Sequence, residues 1–354
     1  MKKQFVSAGY RISSVDPCVF FRGRGKRYLI ASIHVDDILA VTNDLGMYDE
    51  LKTELRKTFP LKDLGDVKFI LGCHVQRDRA NKRLHLSQSA YARTILDRFK
   101  MRDCKPVCTP SSTSVNLTGD VSDEGDVSFP YKEAVGALIY LATMTRPDIS
   151  EAVGKVARHV SKPAQVHVIA VKQIIRYIQG TIDYGITFGG SMDKLMVFSD
   201  SDWAGDLNNR RSVSGMVIML YGGVVAYHSR QQKCVATSSS ETEYIAVSEA
   251  TKAAVAARYF LQELPCCDTL TAPILIYEDN QGAIAMAKRM ESSRRSKHVD
   301  IRYHYVREKV MDGTVKLVLF VRKHVGRYVY KANCPRFIRV ASRLAGYRKS
   351  KWEC

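Results

Sequence analysis

Apolar and polar positions alternate along the chain in two periods, and the switches between them outline its elements. Period-two runs at Cys18–Phe21 and Tyr28–His34 predict two strands, the second running into HVDDILAVTND. There Asp36 and Asp37 separate the apolar runs Leu29–Val35 and Ile38–Val41, which predicts a tight hairpin with carboxylates at its tip. Leu51, Leu55 and Phe59, spaced four apart, predict a helix over Met47–Phe59. Strands are expected around Lys68–Val75 and Arg83–Ser87, then a helix over Gln88–Phe99. The stretch from Pro106 to about Pro130, with CTPSSTSVNLTGDVSDEGDVSFP, has no apolar periodicity and reads as a linker. Helices over Tyr131–Thr143, Ile149–Val160 and His167–Gln179 follow, with Pro147 and Pro163 marking boundaries.

From Lys194 the pattern becomes α/β. Strands are expected at Lys194–Ser199, Ser214–Tyr221 and Gly223–Ser229. A long helix over Ser240–Leu264 carries one apolar stripe at positions 244, 247, 250, 254, 257, 261 and 264. A strand at Pro273–Tyr277, helices over Gln281–Lys288 and His298–Met311, and a strand at Val315–Val321 complete the plan, which shows no internal repeat.

Charge adds a partner class. The 354 residues hold 54 Lys and Arg against 36 Asp and Glu, a net +18, which points to an anionic partner, above all a nucleic acid. A membrane is the weaker option, because the longest apolar stretch, Ala134–Met144, falls far short of the ~20 residues a spanning helix needs. MKKQFVSAGY lacks the apolar core of a signal peptide, so secretion is not expected. The nine cysteines are odd in number and show no framework spacing, as for reduced thiols in an intracellular protein. Cys104 and Cys108 have no second Cys/His pair at zinc spacing nearby.

Three carboxylates stand where a metal site can assemble. Asp200 ends LMVFSD, Glu243 lies in the first turn of the long helix, and Asp279 ends ILIYED. If the two strands are neighbours and the helix packs on their sheet, the three converge at one edge. Hard divalent ions take oxygen ligands, and two of them about 4 Å apart activate a water and stabilise the leaving oxygen of a phosphodiester displacement. Each residue also has a plainer reading. Ser240 and Glu243 match a capping box, Asp279 suits a turn before a helix, and Asp200 suits the polar loop SDSDWAGDLNN.

The segments SDSDWAGDLNNRRSVSG, SRQQKCVATSSSETEYIAVSEA, YEDNQGAIAMAKR and RSKHVDIRYHYVREKV resemble the successive signature blocks of the ribonuclease H domain in copia-type retrotransposon polyproteins. Upstream, DPCVFF, HVDDILAVTND, LKDLGDVKFILGCHV, LSQSAY, VGALIYLATMTRPDIS and IIRYIQGTIDYGITF resemble the C-terminal part of the same element's reverse transcriptase and its connection. The blocks keep the family's order from Asp16 to Leu319. The resemblance implies an α/β (α+β) chain, with a partial reverse transcriptase palm and connection followed by a ribonuclease H-like mixed-sheet domain. The expected divisions are a reverse transcriptase part at 1–105, a linker at 106–130, a helical connection at 131–190, a ribonuclease H-like domain at 191–331 and a basic tail at 332–354.

The same resemblance assigns roles. Asp200 matches the first-strand catalytic Asp, Glu243 the helix Glu (with Glu241 the less favoured alternative), and Asp279 the Asp of the third block. Asp36 and Asp37 match the paired catalytic carboxylates of a Y-V-D-D hairpin. All five are implied metal ligands, for Mg²⁺ or Mn²⁺, and the implied partner is an RNA–DNA hybrid or another nucleic acid in the cytoplasm or nucleus. Asp202 and Asp206 match loop positions near the site. His298 and Asp300 fall in a block with a packing or substrate-contact role.

Three departures qualify the match. No block in residues 1–35 resembles the palm strand that carries a polymerase's third carboxylate, so autonomous DNA synthesis is not expected. His34 replaces the Tyr of the hairpin motif and loses the phenol's reach. Where the family places a fourth ribonuclease H carboxylate, the register here gives Arg327, and no Asp follows Asp312. A cation beside divalent metals is unfavourable, so hydrolysis is expected to be impaired. The alternatives are a non-catalytic nucleic-acid-binding module and a functionless transposon relic. Residues 321–354 hold 10 Lys and Arg against Glu353 alone, so half of the net charge sits where the resemblance fails.

Overall fold

A computed structural model describes residues 1–112, 117, 128–189, 195–206, 209–267, 272–288 and 297–320 of the chain. Arg327, the basic tail, most of the Ser/Thr-rich linker and the side chains of His298 and Asp300 lie outside the described residues. The chain divides into two units, one of Met1–Val67 with Lys252–Pro273, the other of Lys68–Thr251 with Ile274–Cys354.

In the first unit, α1 (Lys2–Ser7) precedes an antiparallel sheet of β1 (Arg11–Ile12), β2 (Val19–Arg24), β3 (Arg27–His34) and β4 (Asp37–Thr42), in that order, followed by α2 (Leu45–Arg56). Phe5, Phe20 and Leu29 meet Met47, Leu51 and Leu55 of α2 in one core, which is what the four-residue spacing anticipates. Asp44 caps α2 by accepting the Met47 N–H at 3.0 Å. The last pair of the β3–β4 ladder joins His34 to Asp37, so the turn is Val35-Asp36, with Val35 in the left-handed region at φ 53°. At the other end of the unit, the hydroxyls of Ser13 and Ser14 donate to Glu263.

The second unit opens with β5 (Phe69–Ile70), β6 (Cys73–Asp78), β7 (Arg83–Ser87) and α3 (Ser89–Arg98). The single strand expected over Lys68–Val75 is in fact two, because Leu71 and Gly72 both take positive φ (47° and 72°) and turn the chain. The Tyr140 hydroxyl donates to Leu71 O at 2.9 Å, and a Cβ on residue 72 would lie 2.4 Å from that hydroxyl oxygen, so the turn requires glycine. Next come α4 (Tyr131–Met144), α5 (Ser150–Ala157), α6 (Gln165–Gln179) and β8 (Gly185–Phe188). The sequence pattern misses β8. Its four residues are too few to show alternation, yet it pairs antiparallel with β7 and completes the sheet β5-β6-β7-β8.

Helices α3 to α6 share an apolar core that includes Ile95, Leu138, Leu141, Val153 and Ile175. Arg146 is buried beside it. Its Nε and Nη2 donate to Asp148 at 2.9 and 2.7 Å, and Nη1 donates to Thr181 O at 2.9 Å. The guanidinium also lies 5.6 and 5.5 Å from the Tyr177 and Tyr184 ring centroids.

The remainder is β9 (Met196–Ser201), β10 (Val213–Leu220), β11 (Gly223–Gln231), α7 (Ser239–Glu263), β12 (Ile274–Glu278), α8 (Gln281–Lys288), α9 (Lys297–Met311) and β13 (Val315–Leu319). The strand order is β11-β10-β9-β12-β13. The first two pairings are antiparallel and the last two parallel. This is a mixed sheet with helices between its strands, so the expected α/β (α+β) class holds. Tyr244, Val247 and Ala250 of α7 are buried, as the apolar stripe requires.

Candidate active site

The parallel pairing of β9 with β12 positions the first two carboxylates. Val197 lies opposite Ile276 and Phe198 opposite Tyr277, so the same register carried two residues on sets Asp200 beside Asp279. Both stand where their strands end. Glu243, the fifth residue of α7, reaches them from the helix. One carboxylate oxygen from each of Asp200, Glu243 and Asp279 lies within 4.8 Å of the others.

Local capping leaves these side chains available. A Ser-x-x-Glu pattern does start α7, but two residues earlier than the plainer reading placed it. Ser238 Oγ accepts the Glu241 N–H at 3.2 Å, and Glu241 accepts the N–H and hydroxyl of Thr237 at 2.7 and 2.6 Å. Glu241 is thus engaged in the cap and Glu243 is not. In the same way, Asn280 Oδ1 accepts the Ala283 N–H at 3.0 Å and starts α8, so Asp279 is not needed as its cap.

The electrostatics are those of crowded, desolvated acids. Glu243 is 7% exposed and its Oε2 has no hydrogen-bond partner. Burial raises its pKa, and Glu278 and Asp200 raise it further. Glu278 is the residue the sequence reading missed. It is fully buried, and its Oε2 is likewise unpartnered. Burial raises its pKa against the opposing Asn280 N–H, and the charges of Asp279 and Asp200 add to the rise. The signal was present in ILIYE, where Ile274 and Ile276 are buried and period two places Glu278 on their face. Three converging carboxylates with an unpartnered buried oxygen on one of them suit a hard divalent cation, which takes oxygen ligands.

The flanking acids do other work. Asp206 is buried and accepts from Arg158 Nη1 at 3.0 Å and Gln231 Nε2 at 2.7 Å. Asp202 accepts the Val213 N–H, and burial raises its pKa. Asp36 and Asp37 belong to the other unit, where both are exposed at the β3–β4 turn. Among the described residues, no third His, Cys, Asp or Glu joins them in a cluster like that of Asp200. Among the described residues, no helix is long and apolar enough to cross a membrane.

Residues 1–113 match the family described as reverse transcriptase (RNA-dependent DNA polymerase). The chain is 40% identical over 310 residues to the retrovirus-related Pol polyprotein from transposon TNT 1-94 of Nicotiana tabacum, covering 86% of this chain and 23% of that one. It is 33% identical over 319 residues to the Pol polyprotein from transposon RE2 of Arabidopsis thaliana, covering 90% and 22%. The chain therefore spans about a fifth of the length of these curated relatives. A solved foamy viral protease-reverse transcriptase in complex with RNA/DNA hybrid is similar at a TM-score of 0.42 and 14% identity, covering 92% of this chain and 38% of that one. With the signature blocks in order and relatives of this kind along nearly its whole length, the chain belongs to the copia-type retrotransposon Pol polyprotein family.

Proposed function

We propose that the chain hydrolyses the RNA strand of RNA–DNA hybrids, with divalent cations held by Asp200, Glu243 and Asp279, and that it does so below the rate of a four-carboxylate site. The observation that carries this reading is the approach of three carboxylate oxygens to within 4.8 Å of one another at the ends of two parallel strands. Mg²⁺ or Mn²⁺, when bound as a pair, supplies activation of the attacking water and stabilisation of the leaving oxygen. Asp200 and Asp279 hold the cations from the sheet, and Glu243 holds them from the helix. Burial and the charges of its neighbours raise the pKa of Glu243, so its carboxyl would have to be deprotonated to serve as a ligand. The exposed Arg210 and Arg211 bind backbone phosphates. Arg327 removes the fourth negative charge, which is the reason for the reduced rate.

Asp36 and Asp37 correspond to the polymerase pair, and this chain by itself is proposed not to extend a primer. The test of hydrolysis is a labelled RNA–DNA hybrid incubated with the purified chain and Mg²⁺ or Mn²⁺. Slow cleavage is expected, abolished by Asp279→Asn and accelerated by Arg327→Asp. Salt-sensitive hybrid binding without cleavage in every variant, Arg327→Asp included, would overturn hydrolysis and leave a binding module.

A further inference from the structure

On the segment that leaves β9 stands an aromatic side chain that the proposed hydrolysis does not use. Trp203 follows Asp200 by three residues and is 59% exposed, an unusual setting for the largest apolar side chain. Its indole N–H donates to Ala236 O at 3.4 Å. The donor is engaged within the protein and the ring is anchored, so what Trp203 offers outward is an apolar π-face.

The ground around it is firmly tied. Ala204 N–H donates to Ser212 Oγ at 3.0 Å, and Gln232 N–H donates to Ser212 O at 2.7 Å. Gln232 Nε2 donates to Ser214 Oγ at 2.9 Å and to Thr242 O at 3.0 Å, in the turn of α7 that carries Glu243. Three chain segments are thus locked to the helix that supplies a carboxylate. Val235, next to the residue that anchors the indole, is 52% exposed and extends the apolar surface. Arg210, Arg211 and Lys233 stand exposed on the same segments. Asp206, the buried acid of this loop, is neutralised by Arg158.

An apolar face on segments that also carry exposed cations, and that are tied to the helix supplying a carboxylate, matches the chemistry of a sugar–phosphate backbone. Sugars pack on the ring and phosphates meet the cations. A protein with an acidic surface would meet the cations equally, but nothing in such a partner requires the platform to be tied to the helix that supplies a carboxylate. We infer that Trp203 is the platform on which the hybrid's backbone rests beside the carboxylates, with Arg210, Arg211 and Lys233 as its phosphate contacts. The inference rests on the proposed hybrid substrate and names how this chain holds it.

The sequence has two tryptophans, Trp203 and Trp352, so Trp352→Phe leaves Trp203 as the sole indole reporter in the full chain. The experiment titrates that variant with a labelled RNA–DNA hybrid in EDTA, which prevents turnover, and reads indole emission and hybrid anisotropy together. Both signals are expected to saturate at one midpoint. Trp203→Ala is expected to weaken binding at least about fivefold and Trp203→Phe by less than about threefold, as for stacking on any aromatic face. The dependence of log K on log salt keeps its slope in Trp203→Ala and flattens by about one in Lys233→Ala. Circular dichroism of each variant checks that it is folded. Hybrid that binds with a silent indole, and binds Trp203→Ala equally well, overturns this inference alone. Wild-type chain that does not bind the hybrid by anisotropy overturns the proposed substrate as well.

Discussion

The carboxyl of Glu278, wholly buried at the end of β12, raises the pKa of Glu243 from within the domain. Both groups are themselves raised by burial, so the folded state holds their protons more tightly than the unfolded chain does. The sign follows from linkage. The stability these neutral carboxyls lend is fully present below the ordinary carboxylate range and is lost as pH rises through their raised values. In EDTA, the melting temperature of the chain is therefore expected to fall between mildly acidic and mildly alkaline pH. Glu278→Gln keeps the shape without the titration and should flatten that fall, by about 2–4 °C for each kcal/mol recovered. Parallel melting curves for variant and wild type across the whole range would refute the coupling.

Divalent metal acts on the same repulsion. Asp200, Glu243 and Asp279 gather negative charge that a cation neutralises, so Mg²⁺ is expected to raise the melting temperature, and more at pH 8 than at pH 6, where protons compete for the ligands. Asp279→Asn removes one repulsive charge. It should melt higher than wild type in EDTA and gain less from Mg²⁺, the usual conflict between a functional site and stability. Thermal scans with and without MgCl₂ read both effects. A variant that gains as much from Mg²⁺ as wild type does would place the metal elsewhere.

The three carboxylates were legible because each sits at a boundary where the pattern changes period, Asp200 and Asp279 at strand ends and Glu243 at a helix start. Their roles were not separable from capping in sequence alone. The distinction required seeing that Ser238, Glu241 and Asn280 already make the caps. Glu278 was missed because an acid one place before a candidate ligand reads as part of the same polar turn, although strand alternation put it on the buried face. A mixed sheet was legible through family resemblance, but its strand order was not, and the neighbouring strands that place Asp200 beside Asp279 came only from the observed pairings. The short strands were not legible. β5 and β6 are split by backbone conformation at Leu71 and Gly72, and β8 is recognisable only through its partner β7.

The buried pair Arg146–Asp148 makes a different kind of prediction. Deleting one partner leaves the other charge desolvated, at a cost of about 3–5 kcal/mol. Asp148→Ala should therefore lower the urea midpoint strongly, since it takes from the buried Arg146 guanidinium the carboxylate that accepts from its Nε and Nη2. Arg146→Met should cost a similar amount, and the double variant clearly less than the sum of the two. Additivity within about 0.5 kcal/mol would show that the pair is not coupled.

Acid should weaken the chain through His159. Its ring stacks on that of His167 at 3.9 Å between centroids. Burial lowers its pKa, His167 and Arg158 lower it further, and Asp206 opposes them. His167 accepts the Ala164 N–H at Nδ1, 2.8 Å away, and faces Leu117 O through Nε2 at 3.0 Å, so the stack presents no acceptor that would welcome a proton on His159. A histidine held below its ordinary value is protonated more readily in the unfolded chain. Its contribution to stability is present above about pH 6.5 and is lost as pH falls through the window beneath that value. Urea midpoints at pH 7.5 and 5.5 should differ more for wild type than for His159→Gln, which keeps the size and hydrogen-bonding capacity without the titration. An equal loss on acidification in both proteins would assign the acid sensitivity to other groups.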